Sequence, residues 1–307
     1  MAKSTKQEIR LTGVIAHWEY QYAKDYLRRF GYSQNDIQVT HNPMHYFDFV
    51  EYRQYLKKAT SLSSNEQDHP HIVDALCDSV IVQDGSKIFS LQQFQRHALE
   101  RYHYRDSHGK PTDEEIRMYE GLASDEFLEY MRNIRQSKGR TFVFLDIAHD
   151  MAAIGRLTIE LYSDICPKSV EHFLGYVKGK SVGASQAWCC YRGSKFTRCI
   201  KNGWLQAGEF STPEKTVLTE PRLEDENFIV SHIHRGTLSF VNRGPHSNFS
   251  SFMISLGPMP YFDKKYVAFG RVIDGGPTLR KMELAETKFE RPVLDLTISS
   301  CDEIRLS

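Results

Sequence analysis

Cysteine is a residue type that could carry redox, nucleophilic or metal-binding chemistry in this chain. Six are present: Cys77, Cys166, Cys189, Cys190, Cys199 and Cys301. No two form a C-x-x-C pair, and their spacing is not that of a disulfide framework. The adjacent Cys189-Cys190 could contribute to a metal site, but no second His/Cys pair at ligand spacing accompanies it. We therefore predict reduced thiols in a reducing compartment, with no metal and no cofactor.

The composition is typical of a folded protein of about two domains. The chain has 307 residues, of which 40% are hydrophobic and 25% charged, which excludes collagen-like, coiled-coil and wholly disordered proteins. Lys+Arg and Asp+Glu each total 39, so we expect neither nucleic acid nor an anionic membrane as a partner. The sequence contains no apolar stretch of signal-peptide or transmembrane length. This predicts an intracellular, cytoplasmic protein.

The first half alternates short β-like runs with helical runs, in the order β-α-β-α-β-β-α. The pattern predicts strands at Ile9–Ile15 and Ile37–Thr40 and a helix that begins at Asn42-Pro43. Asp84-Gly85 favours a hairpin turn between the last two strands. The spacing of Ser90 and Gln93 is that of a capping box, which predicts the start of the final helix.

This order of elements resembles the thioredoxin/glutaredoxin fold. The resemblance implies an α/β thioredoxin-like domain over residues 1–105. Redox-active members of that fold carry a C-x-x-C pair just after the first strand, where the helix end lowers a thiol pKa. Here that place reads Ala16-His17-Trp18-Glu19, with no thiol. We therefore predict a domain without redox activity.

A helical connector is predicted over residues 106–139, since Thr112 and Glu115 have capping-box spacing. A second domain then spans residues 140–307. Two alternating strands open it, a helix begins at Pro167, and short alternating segments with many turn residues follow. The pattern predicts a closed antiparallel β-barrel capped by helices. The whole chain is thus predicted to be a multi-domain α+β protein.

Residues 140–307 resemble the cyclophilin family of peptidyl-prolyl cis-trans isomerases. The resemblance rests on ordered blocks that include Pro167-Lys168-Ser169-Val170-Glu171-His172-Phe173, Gln206-Ala207-Gly208-Glu209-Phe210, Glu224-Asp225-Glu226-Asn227-Phe228, Asn242-Arg243-Gly244-Pro245 and Val267-Ala268-Phe269-Gly270-Arg271-Val272. It implies binding of proline-containing peptides. It also implies catalysis of rotation about the Xaa-Pro bond, which resonance opposes by about 18–20 kcal/mol.

The resemblance also assigns roles to polar residues. Arg198 occupies the place of the family arginine that donates to the prolyl nitrogen when resonance is lost. Gln206 matches the glutamine that supports this arginine, and Asn242 matches an asparagine that holds the peptide. These residues would form the catalytic and anchoring groups of an isomerase.

The walls of the implied proline pocket depart from the family pattern. Gly203 and Trp204 stand where members carry Phe and Met, and Ser251 and Met253 stand where they carry Gln and Phe. In the next wall segment, the changed residues are Tyr261, Phe262 and Tyr266, in place of Trp, Leu and His. A single hydrophobic substitution in a pocket usually costs little, because the pocket repacks. With so many changes together, we expect the pocket to fit a proline ring poorly. Tyr261 lacks the indole N–H of the usual Trp, so we expect weak or absent cyclosporin binding.

Two functions stay open. One is an active prolyl isomerase that uses Arg198. The other, which we favour, is an inactive or weakly active cyclophilin that binds protein within a large intracellular assembly. Eleven of the 16 tyrosines precede Arg140, and tyrosine is enriched at interfaces. Cytoskeletal, ciliary and ribonucleoprotein assemblies are the alternatives for that partner, and neutral charge disfavours the last.

Overall fold

The structure is a computed structural model, and it describes residues 6–34, 36–63, 79–182, 186–211 and 222–306. Contacts group the chain into two compact units, Met1–Tyr130 and Met131–Ser307. The dividing point falls inside one long helix, Asp113–Lys138. The three-part division at residues 105 and 139 therefore stays a prediction. Cys77 lies outside the described residues.

The first unit is built on a four-stranded sheet in the order β2-β1-β3-β4. β1 pairs with β2 in parallel, and the remaining pairs are antiparallel. The elements are β1 (Gln7–Val14), α1 (Trp18–Ser33), β2 (Ile37–Met44), α2 (Tyr46–Ser63), β3 (Val80–Asp84), β4 (Lys87–Phe89), α3 (Leu91–Tyr102) and α4 (Asp113–Lys138). Among the described residues of this half, the elements follow the predicted order β-α-β-α-β-β-α.

The predicted start of α2 at Asn42-Pro43 is wrong. Both residues belong to β2, where Asn42 pairs with Thr12 and Pro43 with Gly13. Proline lacks a backbone N–H, so it is tolerated on an edge strand, and β2 is the edge of this sheet. The helix begins at Tyr46 instead.

Alternation along the strands gives the sheet two covered faces. Leu11 and Val82 face a cluster that includes Tyr20, Phe30 and Phe94. Val14 and Ile81, on the same two strands, belong to a second cluster with Phe49 and Leu56. Helices therefore pack on both faces, α1 and α3 on one and α2 on the other.

The burial of the tyrosines partly corrects the expectation that those of the first half form an interface. Tyr20 and Tyr26 are fully buried core residues, and Tyr22 packs partly buried against the same cluster. All three are therefore accounted for by internal packing. Tyr32 and Tyr55 are the exposed tyrosines among the described residues of this unit.

Two helix starts of this unit are confirmed as capping boxes. The Ser90 hydroxyl accepts from the Gln93 N–H, and the Gln93 side chain accepts from the Ser90 N–H. At the start of α4, the Thr112 N–H donates to the Glu115 carboxylate at 2.7 Å, and the Glu115 N–H donates to the Thr112 hydroxyl at 3.3 Å. Each pair satisfies two backbone donors that a helix end leaves free.

The second unit is built on a curled eight-stranded sheet, in the order β16-β5-β6-β13-β11-β12-β10-β9. Its strands are β5 (Thr141–His149), β6 (Ala152–Leu161), β9 (Arg198–Cys199), β10 (Trp204–Ala207), β11 (Thr237–Phe240), β12 (Phe252–Ser255), β13 (Ala268–Asp274) and β16 (Leu296–Glu303). Outside it lie α5 (Pro167–Lys178), β7 (Lys180–Val182), β8 (Ala187–Cys189), a 3₁₀ turn (Pro260–Phe262), α6 (Gly276–Glu283), β14 (Thr287–Lys288) and β15 (Arg291–Pro292).

The prediction of a fully closed barrel is wrong. The end strands β16 and β9 do not pair as a ladder. The chain before β9 meets β16 at one isolated bridge, Lys195 to Thr297. Three backbone hydrogen bonds accompany it: the N–H groups of Gly193 and Phe196 donate to the carbonyls of Ile298 and Leu296, and the Ile298 N–H donates to the Ser194 carbonyl. β9 is two residues long and its neighbour in the sheet is β10, so the sheet ends at β9 and forms a half-barrel.

The helix predicted at Pro167 is confirmed, with proline in its first turn. The N–H groups of Lys168 and Ser169 donate to the Glu226 carboxylate at 2.9 and 2.8 Å, which satisfies this helix end. Phe173 and Val177 pack into the sheet. Across the described ranges, no helix is both long and apolar enough to cross a membrane.

Candidate functional site

A cross-strand row on the second unit brings together three residues singled out in the sequence. Gln206 on β10 lies directly opposite Arg198 on β9, and directly opposite Met253 on β12. Ser239 on β11 continues the row beyond Met253. Neighbouring strands are about 4.8 Å apart, so the backbones of Arg198 and Met253 are separated by about 10 Å. Side chains opposite each other project from the same face.

The Arg198 guanidinium has two partners within the chain. Its Nε and Nη2 donate to Glu290 Oε2 at 3.0 and 2.5 Å. Its Cζ also lies 5.5 Å from the Trp204 ring centroid, a cation–π distance. The side chains of Arg198 and Glu290 are 43% and 49% exposed, so water screens the ion pair, which is worth about 0–1 kcal/mol.

Glu290 is held beside Arg198 by a tight hairpin. β14 and β15 pair through Lys288 and Arg291, leaving Phe289 and Glu290 as the two-residue turn. Both turn residues have positive φ, 50° and 65°, the geometry of a type I′ turn. The Cys199 N–H also donates to the Glu290 carbonyl at 2.7 Å. Backbone as well as side-chain bonds therefore place this carboxylate on Arg198.

The predicted wall residues form an aromatic cluster around Phe262. The rings of Tyr261, Tyr266 and Trp204 lie edge-on to it, at 4.7, 4.8 and 5.2 Å between centroids. Phe262 and Tyr266 are half-buried, and Tyr261 is 57% exposed. Such edge-to-face packing is favourable, so these rings stabilise one another on that side of the site.

Gly203 has little room for a side chain. A Cβ added there would be 2.9 Å from Ile200 Cγ2 and 3.2 Å from the Ile200 carbonyl. Ile200 thus occupies space that a larger wall residue would need. A substitution of Gly203 by a residue with a large side chain therefore requires Ile200 to move.

Asn242 and Ser251 border the site on the loop after β11. The Asn242 amide donates to the Lys265 carbonyl at 2.9 Å, and its oxygen accepts from the Gly244 N–H at 3.3 Å. Ser251 is tied to this loop through its carbonyl, which accepts from the Val241 N–H. The Asn242 side chain is therefore committed to holding its own loop beside Tyr266.

A hydrogen-bonded relay that the sequence did not reveal connects the row to the wall. His232 Nδ1 lies 2.8 Å from Asp263 Oδ1, and His232 Nε2 lies 2.7 Å from Ser239 Oγ. A carboxylate only accepts, so Nδ1 carries the proton and Nε2 accepts from the serine. Asp263 directly follows Phe262, and the His232 ring is edge-on to Phe262 at 6.1 Å.

Burial lowers the pKa of His232, because charging the ring there would cost solvation, although Asp263 opposes the shift. For Asp263 burial disfavours ionisation, yet the hydrogen bonds from the ring and backbone of His232 outweigh it and lower the pKa. A neutral histidine beside an ionised aspartate is thus the state that folding favours.

The Ser239–His232–Asp263 arrangement has the hydrogen-bond order of a hydrolase triad. Ser239 is fully buried, however, so no substrate carbonyl can reach its hydroxyl. The relay is structural, and it holds the segment that carries Phe262 against the sheet.

In the described parts of the chain, no group of three or more His, Cys, Asp or Glu side chains is placed to bind a metal ion. Cys189 is buried at the end of β8, and the next residue, Cys190, is half-buried. Neither thiol belongs to a group of three or more potential metal ligands among the described residues.

The sequence of this unit matches a known family. The model described as Cyclophilin type peptidyl-prolyl cis-trans isomerase/CLD matches residues 144–303, just over half of the chain. The chain belongs to the cyclophilin family. This confirms the resemblance on which Arg198, Gln206 and Asn242 were chosen, while their roles stay predictions.

Proteins from three mammals are also similar to this chain. A Bos taurus protein is 42% identical over 192 residues, 61% of each chain. A Homo sapiens protein is 41% identical over 181 residues, 57% of each chain, and a Mus musculus protein is 39% identical over 186 residues, 59% of this chain and 58% of the other. All three bear the name "Probable inactive peptidyl-prolyl cis-trans isomerase-like 6". The matches span about three-fifths of their length.

Glu290, His232 and Asp263 are the residues of this site that sequence reasoning missed. The turn at Phe289-Glu290 lacks the Asn-Gly or Asp-Gly pair that marks such hairpins, so nothing in the sequence signalled it. His232 and Asp263 are 31 residues apart, and only the folded sheet brings them together.

Proposed function

We propose that the cyclophilin domain is a protein-binding module with little or no prolyl isomerase activity. The observation that carries this proposal is the state of Arg198, whose guanidinium faces the Glu290 carboxylate and the Trp204 ring. A catalytic donor must instead face a prolyl nitrogen, and only interactions gained in the transition state accelerate the reaction.

The wall supports the same proposal. Phe262 is surrounded by rings where the family pattern has a leucine, and Ile200 restricts the space beside Gly203. A proline ring seated about 1 Å from its productive position loses on the order of a hundredfold in rate. The names of the three mammalian relatives, which include the words "probable inactive", agree with this reasoning.

An active isomerase is the second candidate, and one observation favours it. Arg198, Gln206 and Met253 occupy consecutive positions in one cross-strand row. A substrate that displaced Glu290 would find the donor and its supporting amide already aligned. The ion pair it must displace is exposed and weak.

For the first unit we propose a thioredoxin-like fold without redox activity. The sheet order β2-β1-β3-β4, with one parallel pair, supports it, as does the absence of a thiol at Ala16 to Glu19. Insulin reduction by the full chain should stay at background. Turnover above background would contradict the inactive part of this proposal.

The partner we propose is a protein segment, with or without proline, in an intracellular assembly. Tyr261 is 57% exposed at the site rim, but its hydroxyl cannot place a donor where an indole N–H would be. Cyclosporin binding should therefore be weak or absent. Fluorescence titration with the drug, compared with an active cyclophilin, measures this.

The proposal is tested by prolyl isomerase assays of the full chain, run beside an active cyclophilin under the same conditions. We expect at most a few per cent of the reference kcat/KM. Near-reference turnover would overturn the proposal and favour the second candidate.

A further inference from the structure

Two thiols of the second unit meet at the edge of the sheet, away from the Arg198 site. Cys190 Sγ and Cys301 Sγ both donate to one acceptor, the carbonyl of Val177, at 3.7 and 3.5 Å. Cys190 also raises the pKa of the Cys301 thiol, in addition to the larger effect of burial. The two sulfurs therefore lie side by side at one carbonyl oxygen.

The backbone explains why they meet. The Gly193 N–H donates to the Ile298 carbonyl at 2.7 Å, and the Ile298 N–H donates to the Ser194 carbonyl at 2.9 Å. The chain there runs antiparallel to β16. Before that crossing the chain makes a tight turn, in which the Ser194 N–H donates to the Tyr191 carbonyl at 3.0 Å. The Tyr191 N–H donates to the Tyr176 carbonyl at 2.9 Å, so the adjacent Cys190 is held beside the end of α5. Cys301 on β16 reaches the same end of α5 through the Val177 carbonyl, and a bond of about 2 Å between the two sulfurs would join the turn to β16.

The two thiols differ in access. Both line a cavity of about 460 Å³, which Lys178 and Arg192 also line. Cys190 is half-buried, whereas Cys301 is buried. Burial raises the pKa of Cys301 to about 12, so that thiol stays protonated at neutral pH. A small oxidant in the cavity therefore meets Cys190 first.

We propose that Cys190 and Cys301 are a reversible oxidation site that reacts with hydroperoxides. The peroxide oxidises the Cys190 sulfur to a sulfenic acid and is itself reduced, to water in the case of hydrogen peroxide. The Cys301 sulfur then displaces the sulfenic hydroxyl, which leaves as water with the Cys301 proton. A disulfide remains, and a dithiol reductant restores both thiols.

The site has a structural consequence for the strand that leads to Arg198. The segment Gly193–Phe196 follows Cys190 and is joined to β16 by three backbone hydrogen bonds and one isolated bridge. A Cys190–Cys301 disulfide would fasten covalently the edge where the half-barrel lacks a continuous ladder. The oxidised form should therefore melt at a higher temperature than the reduced form.

The test uses the full chain, reduced and then treated with a slight excess of hydrogen peroxide at neutral pH. The remaining thiols are blocked with N-ethylmaleimide in denaturant, and non-reduced tryptic peptides are analysed by mass spectrometry. We expect a dithiothreitol-sensitive link between the peptide of Cys190 and that of Cys301 in most chains. Oxidation that leaves Cys301 alkylated in most chains would overturn the proposal.

Trypsin leaves Cys189 and Cys190 on one peptide, so matched variants assign the link. Cys189→Ser should retain it, and Cys190→Ser should lose it. A link that survives in Cys190→Ser would overturn the proposal. Wild-type protein provides a check that needs no variant: one equivalent of N-ethylmaleimide under native conditions should label Cys190 first and prevent the link. First labelling at another described cysteine, with the link still forming, would also contradict it.

Discussion

The polar row and the aromatic wall of the candidate site are held by different kinds of structure. Arg198, Gln206 and Met253 lie on paired strands, where the register sets their positions. Tyr261, Phe262 and Tyr266 lie on a 3₁₀ turn and the segment after it. The pairing of strands does not depend on which side chains line the pocket. An aligned polar row therefore persists when the pocket beside it changes, and it is not by itself evidence of catalysis.

Glu290 makes the difference between the two regions sharper. Strand pairing fixes the position of Arg198, while the β14–β15 turn supplies the Glu290 carboxylate that accepts hydrogen bonds from its guanidinium. The wall, in turn, fills its own side of the site with rings. The polar row and the aromatic wall meet at Arg198 and Trp204. A change on either side should therefore alter how a proline ring meets Arg198.

The largest effect should come from rebuilding the wall. A variant carrying Trp204→Met, Ser251→Gln, Met253→Phe, Phe262→Leu and Tyr266→His should raise kcat/KM for an Xaa-Pro peptide by on the order of a hundredfold, because a seated proline ring meets Arg198. Gly203 is left unchanged, since Ile200 restricts its space. A coupled isomerisation assay measures the rate.

The matched control for that variant carries Arg198→Ala in addition, and should lose the gain. A folded five-substitution variant with unchanged kcat/KM would show that the wall does not limit the reaction.

The His232 relay should make the wall region sensitive to acid. The folded-state pKa of His232 is lowered by burial, so its stabilising contribution is complete above pH 6.5 and declines as the pH falls towards the folded value. Desolvation also lowers the pKa of the half-buried His172, to about 4, so this histidine adds to the loss of stability between pH 6.5 and 4. Each histidine contributes a slope of at most about 1.4 kcal/mol per pH unit.

Urea unfolding at a series of pH values between 7 and 4 measures that slope. His232→Gln should reduce it, and His172→Gln should reduce it by a separate amount. An unchanged slope in a folded His232→Gln protein would mean that the relay is not the origin of the acid sensitivity.

The smallest effect should come from removing the carboxylate on Arg198. Glu290→Gln should increase affinity for an Xaa-Pro peptide by no more than about fivefold, because an exposed ion pair is worth about 0–1 kcal/mol. Asp295→Asn is the matched control, since it removes another exposed pair, with Lys195 at 2.6 Å. NMR titration measures both, and equal affinities in the two variants would argue against a role for Glu290.

The sequence predicted the parts of the molecule that depend on local patterns. The capping boxes at Ser90 and Thr112 and the helix at Pro167 follow from residue types at fixed spacing, and all three are present. Pro43 misled the prediction because a helix start and an edge strand both tolerate a proline, and only the sheet order distinguishes them.

The residues of the site that meet through long-range contacts could not be predicted from the sequence. The family pattern singled out Arg198, Gln206 and Met253 one by one, and the strand pairing of the structure places them in one row. Glu290 reaches Arg198 across 92 residues, and it does so from a turn of two non-glycine residues with positive φ. No pairwise signal in a single sequence reports such a contact, and the open edge of the sheet was missed for the same reason.

The central claim is that Arg198 is an aligned donor that meets no correctly seated proline. The most direct test compares kcat/KM of the wild-type full chain with that of Arg198→Ala in a coupled Xaa-Pro assay. We predict low rates that differ by less than about twofold, since a donor without a seated nitrogen stabilises no transition state. A wild-type rate near that of an active cyclophilin, abolished by Arg198→Ala, would contradict the account and make the protein an enzyme.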